Sequence, residues 1–326
     1  AQHRALSAAP GARGAPGPDA RATAVLASAA VLKRFFPDRV DDIDRRAAED
    51  VARAYPGAAL PEEAGAAEAA AREIARGLIA GAEAGERSAA WAGTVPEGPG
   101  RWVSNTRQPA PVRPGWGRVH PWFLAAGDEL RPPPPPAYLS PEFAVALAQV
   151  RTASAGASGR RLRNVEYWAD GPGTATPPGH WNAVAAGLAR RYGLGERETA
   201  HLLAVLNAGL MDAGIACWDA KYAYWLLRPS QADTAVHPRV RLPNFPSYPS
   251  GHAYFSGAAA EILGHYFPAE RHRLRAWAGQ AALSRVDGGL HYPFDSSVGL
   301  EYGRAVGRKV LEGERRSPER LLAAGE

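Results

Sequence analysis

The chain reads as all-α, two packed helical bundles sharing one core, and three observations carry that reading. Ala-rich segments with apolar residues three and four apart recur along its 326 residues, the spacing that lines one face of a helix. Strand-like alternation is hard to find. Hydrophobic residues make up 46% and charged residues 22%, an ordinary globular balance that leaves enough apolar mass for a large core.

The elements follow in order. After a stretch rich in Ala, Gly, Pro and Arg up to about Ala24, the patterning predicts helices over 24–36, 39–55 and 62–84. From 91 to 140 runs a Pro/Gly/Trp-rich segment with five consecutive prolines, 132–136. So long an irregular segment is either a linker or a functional wrap. Trp91, Trp102, Trp116 and Trp122 argue for a wrap, because a solvated linker rarely carries that many indoles. Helices are predicted again over 141–155, 160–168, 181–192 and 196–227, the last ending at Arg228-Pro229, with a Gly/Pro/Thr loop over 169–180. Helices over 250–267, 269–285 and 296–311 complete the set. The expected organisation is a tail, 1–24, one helical domain, 25–313, whose chemistry is concentrated in 218–295, and a second tail, 314–326.

Composition excludes several classes. The formal charge is +5, nearly all of the positive residues being Arg. No run of adjacent basic residues longer than two interleaves with aromatics, so a scattered Arg surface is expected and a nucleic-acid stripe is not. A single cysteine, Cys217, rules out an intramolecular disulfide; in its apolar stretch it reads as a buried, inert thiol. The apolar run 202–218 is broken by Asp212, so no membrane span is expected. The chain does not open on methionine, and its Ala/Pro-rich start resembles a processed terminus; the expected location is secreted or periplasmic.

Three segments stand out chemically. In Lys221-Tyr-Ala-Tyr-Trp-Leu-Leu-Arg228-Pro229 the two cations are seven residues apart, about two helical turns, which predicts that both project from one helix face. That pair needs either solvent or an anion. Pro249-Ser250-Gly251-His252 precedes an apolar helical run. There a Ser N-cap and a Gly in the first turn leave free N–H groups for an oxyanion or simply cap the helix. The third, Ser284-Arg285 through His291 to Asp295, sets an imidazole four residues before a carboxylate. This is the arrangement of an oriented ligand or nucleophile, or of a satisfied core histidine. Together the three fix eleven positions, which at roughly one residue in twenty each is a chance on the order of 10⁻¹⁴ per placement. Flexible gaps do not return enough to make it coincidence.

The complete pattern K-x6-RP, PSGH, SR-x5-H-x3-D resembles that of the vanadium haloperoxidases and their relatives, the type 2 phosphatidic acid phosphatases and bacterial acid phosphatases. It spans Lys221–Asp295, under a quarter of the chain. A looser likeness extends to Trp168-Ala-Asp170-Gly and Thr176-Pro-Pro-Gly.

The resemblance implies helical bundles of the chloroperoxidase and acid phosphatase type around a bound vanadate, whose place phosphate can take. It implies Lys221, Arg228 and Arg285 as the cationic clamp, with Ser250 and the Gly251 N–H as further donors. His291 would be the metal ligand (or the nucleophile of a phosphatase), His252 the acid–base group, and Asp295 the residue orienting His291. Asp170 resembles the carboxylate that pairs with the clamp arginine. Trp218, three residues before Lys221, and Phe245, five before Ser250, match the aromatic pair on the halide side of chloroperoxidases. Their plain alternative is core packing. The expected activity is oxidation of chloride or bromide by hydrogen peroxide to hypohalous acid, with Lys221, His252 and His291 catalytic. The alternative is a soluble acid phosphatase working through a phosphohistidine. The expected partners are hydrogen peroxide, a halide and a small-molecule substrate, with neither nucleic acid nor membrane; a homo-oligomer is left open.

Overall fold

The computed structural model describes residues 20–54, 61–106 and 110–316, and these form eleven α-helices and no strand. The expected tails lie mostly outside the described residues. Where they are described they are helical: Ala20–Phe35 is α1, and the last helix runs to Arg316. The single domain expected from the sequence divides by its contacts into two compact units, described residues up to Arg87 and those from Ser88 onward. The first holds α1, α2 (Val40–Ala54) and nearly all of α3 (Pro61–Ser88). The second carries every segment singled out for its chemistry.

In the second unit, α4 (Pro141–Ala155), α5 (Gly159–Tyr167) and α6 (Thr176–Arg191) surround α7 (Glu196–Tyr224), α9 (Gly251–Tyr266), α10 (Arg271–Asp287) and α11 (Pro293–Arg316); α8 is a single turn, Pro229–Ala232. Helix α6 begins inside the expected Gly/Pro/Thr loop, because Pro177 and Pro178 occupy its first turn, where a missing N–H costs nothing. Helix α7 is long and apolar enough to span a membrane, since one Asp among so many apolar residues barely lowers its hydropathy. However, 67% of its apolar window is buried inside the fold, as befits a core helix. Leu202, Val205 and Leu206 on it are fully buried against Ile262, Val306 and Val310, each worth about 1.5–3 kcal/mol of burial.

Two contacts set the frame for the site. Helices α9 and α11 touch backbone to backbone at glycines: a Cβ on Gly299 would stand 2.7 Å from Ser250 O, and one on Gly303 would collide with Tyr254 O. That approach lets Ser250 N donate to Asp295 O at 3.0 Å, joining the start of α9 to the start of α11. The second contact is the wrap. Asp212 on α7, fully buried, accepts from the N–H groups of Trp122, Phe123 and Leu124 at 2.7, 2.8 and 3.0 Å. The hydroxyls of Tyr224 and Tyr248 donate to Pro132 O and Pro133 O at 2.6 Å each. The Pro/Trp segment is therefore packed on the core, and its prolines offer carbonyls where other residues would also bring N–H groups needing partners.

Candidate oxyanion site

Helix α7 ends at Tyr224, four residues before Arg228, and this corrects the expectation of two cations on one helix face. Trp225 turns left-handed at φ 53°, and the chain then runs extended. Trp225 O, Leu226 O and Leu227 N are taken by Trp102 N, Ser247 N and Gly100 O. These tertiary bonds outcompete two more helical ones. Lys221 thus reaches the site from the last turn of α7, while Arg228 comes from the cap of α8.

Both cations are buried, and they are used differently. Lys221 Nζ donates to the carbonyls of Pro246, Ser247 and Pro249 at 2.9, 2.9 and 2.5 Å. All three of its protons are spent on the loop before Ser250, so it holds that loop and lends charge rather than a free donor. Burial lowers its pKa to about 7. Arg228 gives Nε to Phe245 O and Nη1 to Leu290 O, each at 3.0 Å, and its Nη1 also meets His291 Nε2 at 3.0 Å. Arg285, on α10, gives Nε to Ser284 Oγ at 3.0 Å and Nη2 to Val165 O at 2.8 Å. Burial pulls both guanidinium groups down to about 10.

The tautomer of His291 follows from its neighbours. Arg228 can only donate, so Nε2 carries the lone pair. Nδ1 then bears the proton and donates to Asp295 Oδ2 at 2.8 Å. Ser247 Oγ donates to the same oxygen at 2.6 Å and Tyr292 N at 3.2 Å. Burial pushes Asp295 up to about 6. Burial first, then the charges of Arg228, Lys221, His252 and Arg285, hold His291 neutral well below the usual histidine range; the bonds from Arg228 to His291, from Lys221 to Pro249 O and from Ser250 N to Asp295 O tie the three motif segments together.

Ser250 caps α9, its Oγ accepting from Ala253 N at 3.4 Å, so Gly251 opens the helix with its N–H in the first turn. His252 follows. Burial and Arg285 hold it well below the usual range, partly offset by the carbonyls of Trp168 and Ala169. Trp218 and Phe245 do form a pair, ring centres 5.0 Å apart. The Phe245 ring lies 5.0 Å from Lys221 Nζ and 5.1 Å from Arg228 Cζ, and Trp218 is pinned by its Nε1 donating to Val112 O of the wrap at 3.2 Å. Cys217 sits beneath, buried and pushed up to about 11, unreactive as expected. The Tyr248–Pro249 peptide bond is cis.

Asp170 departs from expectation. Its carboxylate is bonded to His180 Nδ1 at 3.1 and 3.2 Å rather than paired with Arg285, which feels it only as a neighbouring charge that supports the cation. Reading the sequence missed His180 and Ser247. Ser247 had a signal: Pro246-Ser247 stands just upstream of Pro249-Ser250 and repeats its residue pair.

Four buried polar atoms here have no protein partner: Arg228 Nη2, Arg285 Nη1, His252 Nε2 and Asp295 Oδ1. Unpaired buried charge costs several kcal/mol per ion, and the neighbouring carboxylates are already engaged, Asp295 by Ser247 and His291 and Asp170 by His180. Two guanidinium N–H groups, an imidazole and a helix N-terminus fit a small multiply charged oxyanion such as vanadate or phosphate.

Comparison with known proteins agrees with that geometry. Residues 199–315 match the PAP2 superfamily, an interval that runs from α7 into α11. The vanadium chloroperoxidase of Curvularia inaequalis is 27% identical over 178 aligned residues, a match covering 41% of this chain and 29% of that protein's length. Among solved structures, a bacterial vanadium-dependent iodoperoxidase superposes with a TM-score of 0.78 at 26% identity, over 90% of this chain and 79% of that one. A bacterial vanadium-dependent chloroperoxidase in its holo form gives 0.69 at 16% identity, over 92% and 82%, a likeness of fold. Residues 199–315 are thus similar to the PAP2 superfamily, and the chain has the helical fold of these vanadium-dependent haloperoxidase structures.

Proposed function

We propose that this protein is a vanadate-dependent haloperoxidase, oxidising halide with hydrogen peroxide to hypohalous acid. The observation that carries the reading is the set of unpartnered cationic N–H groups around His291 with an apolar wall beside them. His291 Nε2 would hold the vanadium, and Arg228, Arg285, Ser250 and the Gly251 N–H would hold its oxygens. Bound vanadate would supply a Lewis acid that activates peroxide for the two-electron oxidation of halide without itself changing oxidation state.

The chain's own residues do the rest. His252, kept neutral by burial and Arg285, has a ring nitrogen with no protein partner to take a proton from peroxide and return it to the departing water. Asp295 and Ser247 fix the His291 ring so that its Nε2 lone pair is the ligating one. Lys221 and Arg228 place positive charge beside the Phe245 ring, and Trp218 and Phe245 exclude water, which strengthens that charge's pull. Hydrogen peroxide, halide and a proton yield hypohalous acid and water.

A phosphatase is the second reading, favoured by the superfamily match and by the same His291 lone pair, which could attack phosphorus with His252 protonating the leaving oxygen. Metal-free protein assayed for halide oxidation with and without vanadate and hydrogen peroxide, beside a phosphate-ester assay, separates the two. The expected result is halide oxidation that depends on both additions. Ester hydrolysis with no halide oxidation would reverse the choice.

A further inference from the structure

The stretch 168–170 holds three features that the roles above do not use. Asp170 is left-handed at φ 41°, a conformation that costs a non-glycine residue energy unless its surroundings hold it there. His180, from the first turns of α6, binds the Asp170 carboxylate and lies flat on the Trp168 indole, ring centres 4.3 Å apart and 11° from parallel. Trp168 in turn donates Nε1 to Gln280 Oε1 on α10 at 3.0 Å, and Arg285 Nη2 on the same helix donates to Val165 O just upstream. His180, Trp168 and Gln280 form a continuous link from α6 to the helix that carries Arg285. Both His180 and Asp170 are largely buried, their side chains 13% and 11% exposed, so their mutual bond is not a solvated surface contact.

We infer that His180 is a positioning residue of the oxyanion site, acting through Asp170 and Trp168 to hold the 168–170 turn against Arg285 and His252. The inference rests on the proposed oxyanion site but not on which reaction occurs there. With Nδ1–H given to Asp170, His180 keeps the carboxylate turned inward, where its charge supports the Arg285 cation. The same turn carries the Trp168 and Ala169 carbonyls that face the His252 ring. Without His180, the Asp170 carboxylate would be free to swing to solvent, and both the guanidinium and the imidazole would lose a fixed neighbour.

Orthovanadate and inorganic phosphate binding, measured by calorimetry on the full chain, tests this without relying on turnover. His180→Phe keeps an aromatic ring on Trp168 and removes the bond to Asp170. Asp170→Asn suits the left-handed backbone and removes the charge. Each should weaken both anions by about 10- to 100-fold, the loss typical of second-layer partners, with melting temperature little changed. Because His180 acts through Asp170, the double variant should bind no worse than Asp170→Asn alone. Wild-type affinity in His180→Phe, losses that add in the double variant, or wild-type protein that binds neither anion would each overturn the inference. Weakened binding in a protein that hydrolyses esters and oxidises no halide would leave it standing and remove only the haloperoxidase reading.

Discussion

His291 receives a proton donor on one ring nitrogen and gives a proton from the other, so its tautomer is decided by Arg228 and Asp295 together. A residue so constrained should not be replaceable. His291→Ala is expected to lower orthovanadate affinity by more than the roughly 100-fold that loss of a supporting partner costs, because the remaining clamp binds an anion without bonding to vanadium. Calorimetric titration reads this directly, and affinity within tenfold of wild type would remove His291 as the ligand. Phe245 makes a finer claim. Its ring borders both Lys221 and Arg228, so Phe245→His puts a polar ring beside two cations and admits water. Chloride is harder to oxidise than bromide and depends more on that undiluted charge. The chloride-to-bromide rate ratio should therefore fall in the variant. Equal losses for the two halides would make Phe245 a packing residue only.

At the scale of elements, the helices of the second unit were legible because their apolar spacing is undisturbed, and so was the N-cap at Ser250, which needs only local chemistry. The end of α7 was not. Nothing in Trp225-Leu226-Leu227 forbids a helix; it stops because Gly100, Trp102 and Ser247 offer backbone partners from distant parts of the chain. The same limit hid Lys221's engagement with three carbonyls of a distant loop, and the bond between Asp170 and His180 was hidden by the turn that folds one back on the other. The α9–α11 contact was hidden too, although Gly299, Gly303 and Gly307 recur every fourth residue on one face of α11. Gly303→Ala tests its meaning. An added Cβ collides with the Tyr254 carbonyl, which backbone cannot yield cheaply, so a loss of about 1–3 kcal/mol is expected. If the contact also sets the site, the slip between Ser250 and Asp295 should weaken vanadate binding in protein that still folds. Urea unfolding and anion titration on one sample measure both. Lower stability with unaltered binding would confine the contact to packing.

Across the whole molecule, the buried site joins charge to stability. Its three buried cations, His252, His291 and Asp295 sit inside the fold, so their protonation must register in unfolding. Lys221 provides the clearest window. Its pKa is about 7 in the folded chain against 10.5 for the free side chain. Between those values the unfolded chain holds a proton that the folded one lacks, and stability must rise with pH, by at most about 1.4 kcal/mol per pH unit. Other groups act elsewhere. Asp295, raised to about 6 from 3.8, lowers stability as pH rises between those two values, and the neutral histidines act below 6.5. Cys217 and the buried tyrosines, all raised, oppose the trend only near and above pH 9. From pH 7 to 8.5, then, the unfolding free energy of the anion-free protein should climb, and Lys221→Met should flatten the climb. The variant also strands the Pro246, Ser247 and Pro249 carbonyls, so its overall stability will fall; only the slope bears on the claim. Saturating orthovanadate should flatten the wild-type slope as well, because a bound anion keeps Lys221 charged in the folded state. A wild-type slope that is flat before any anion is added would mean that Lys221 stays protonated through neutral pH, its three carbonyls and Asp295 sufficing to hold the charge.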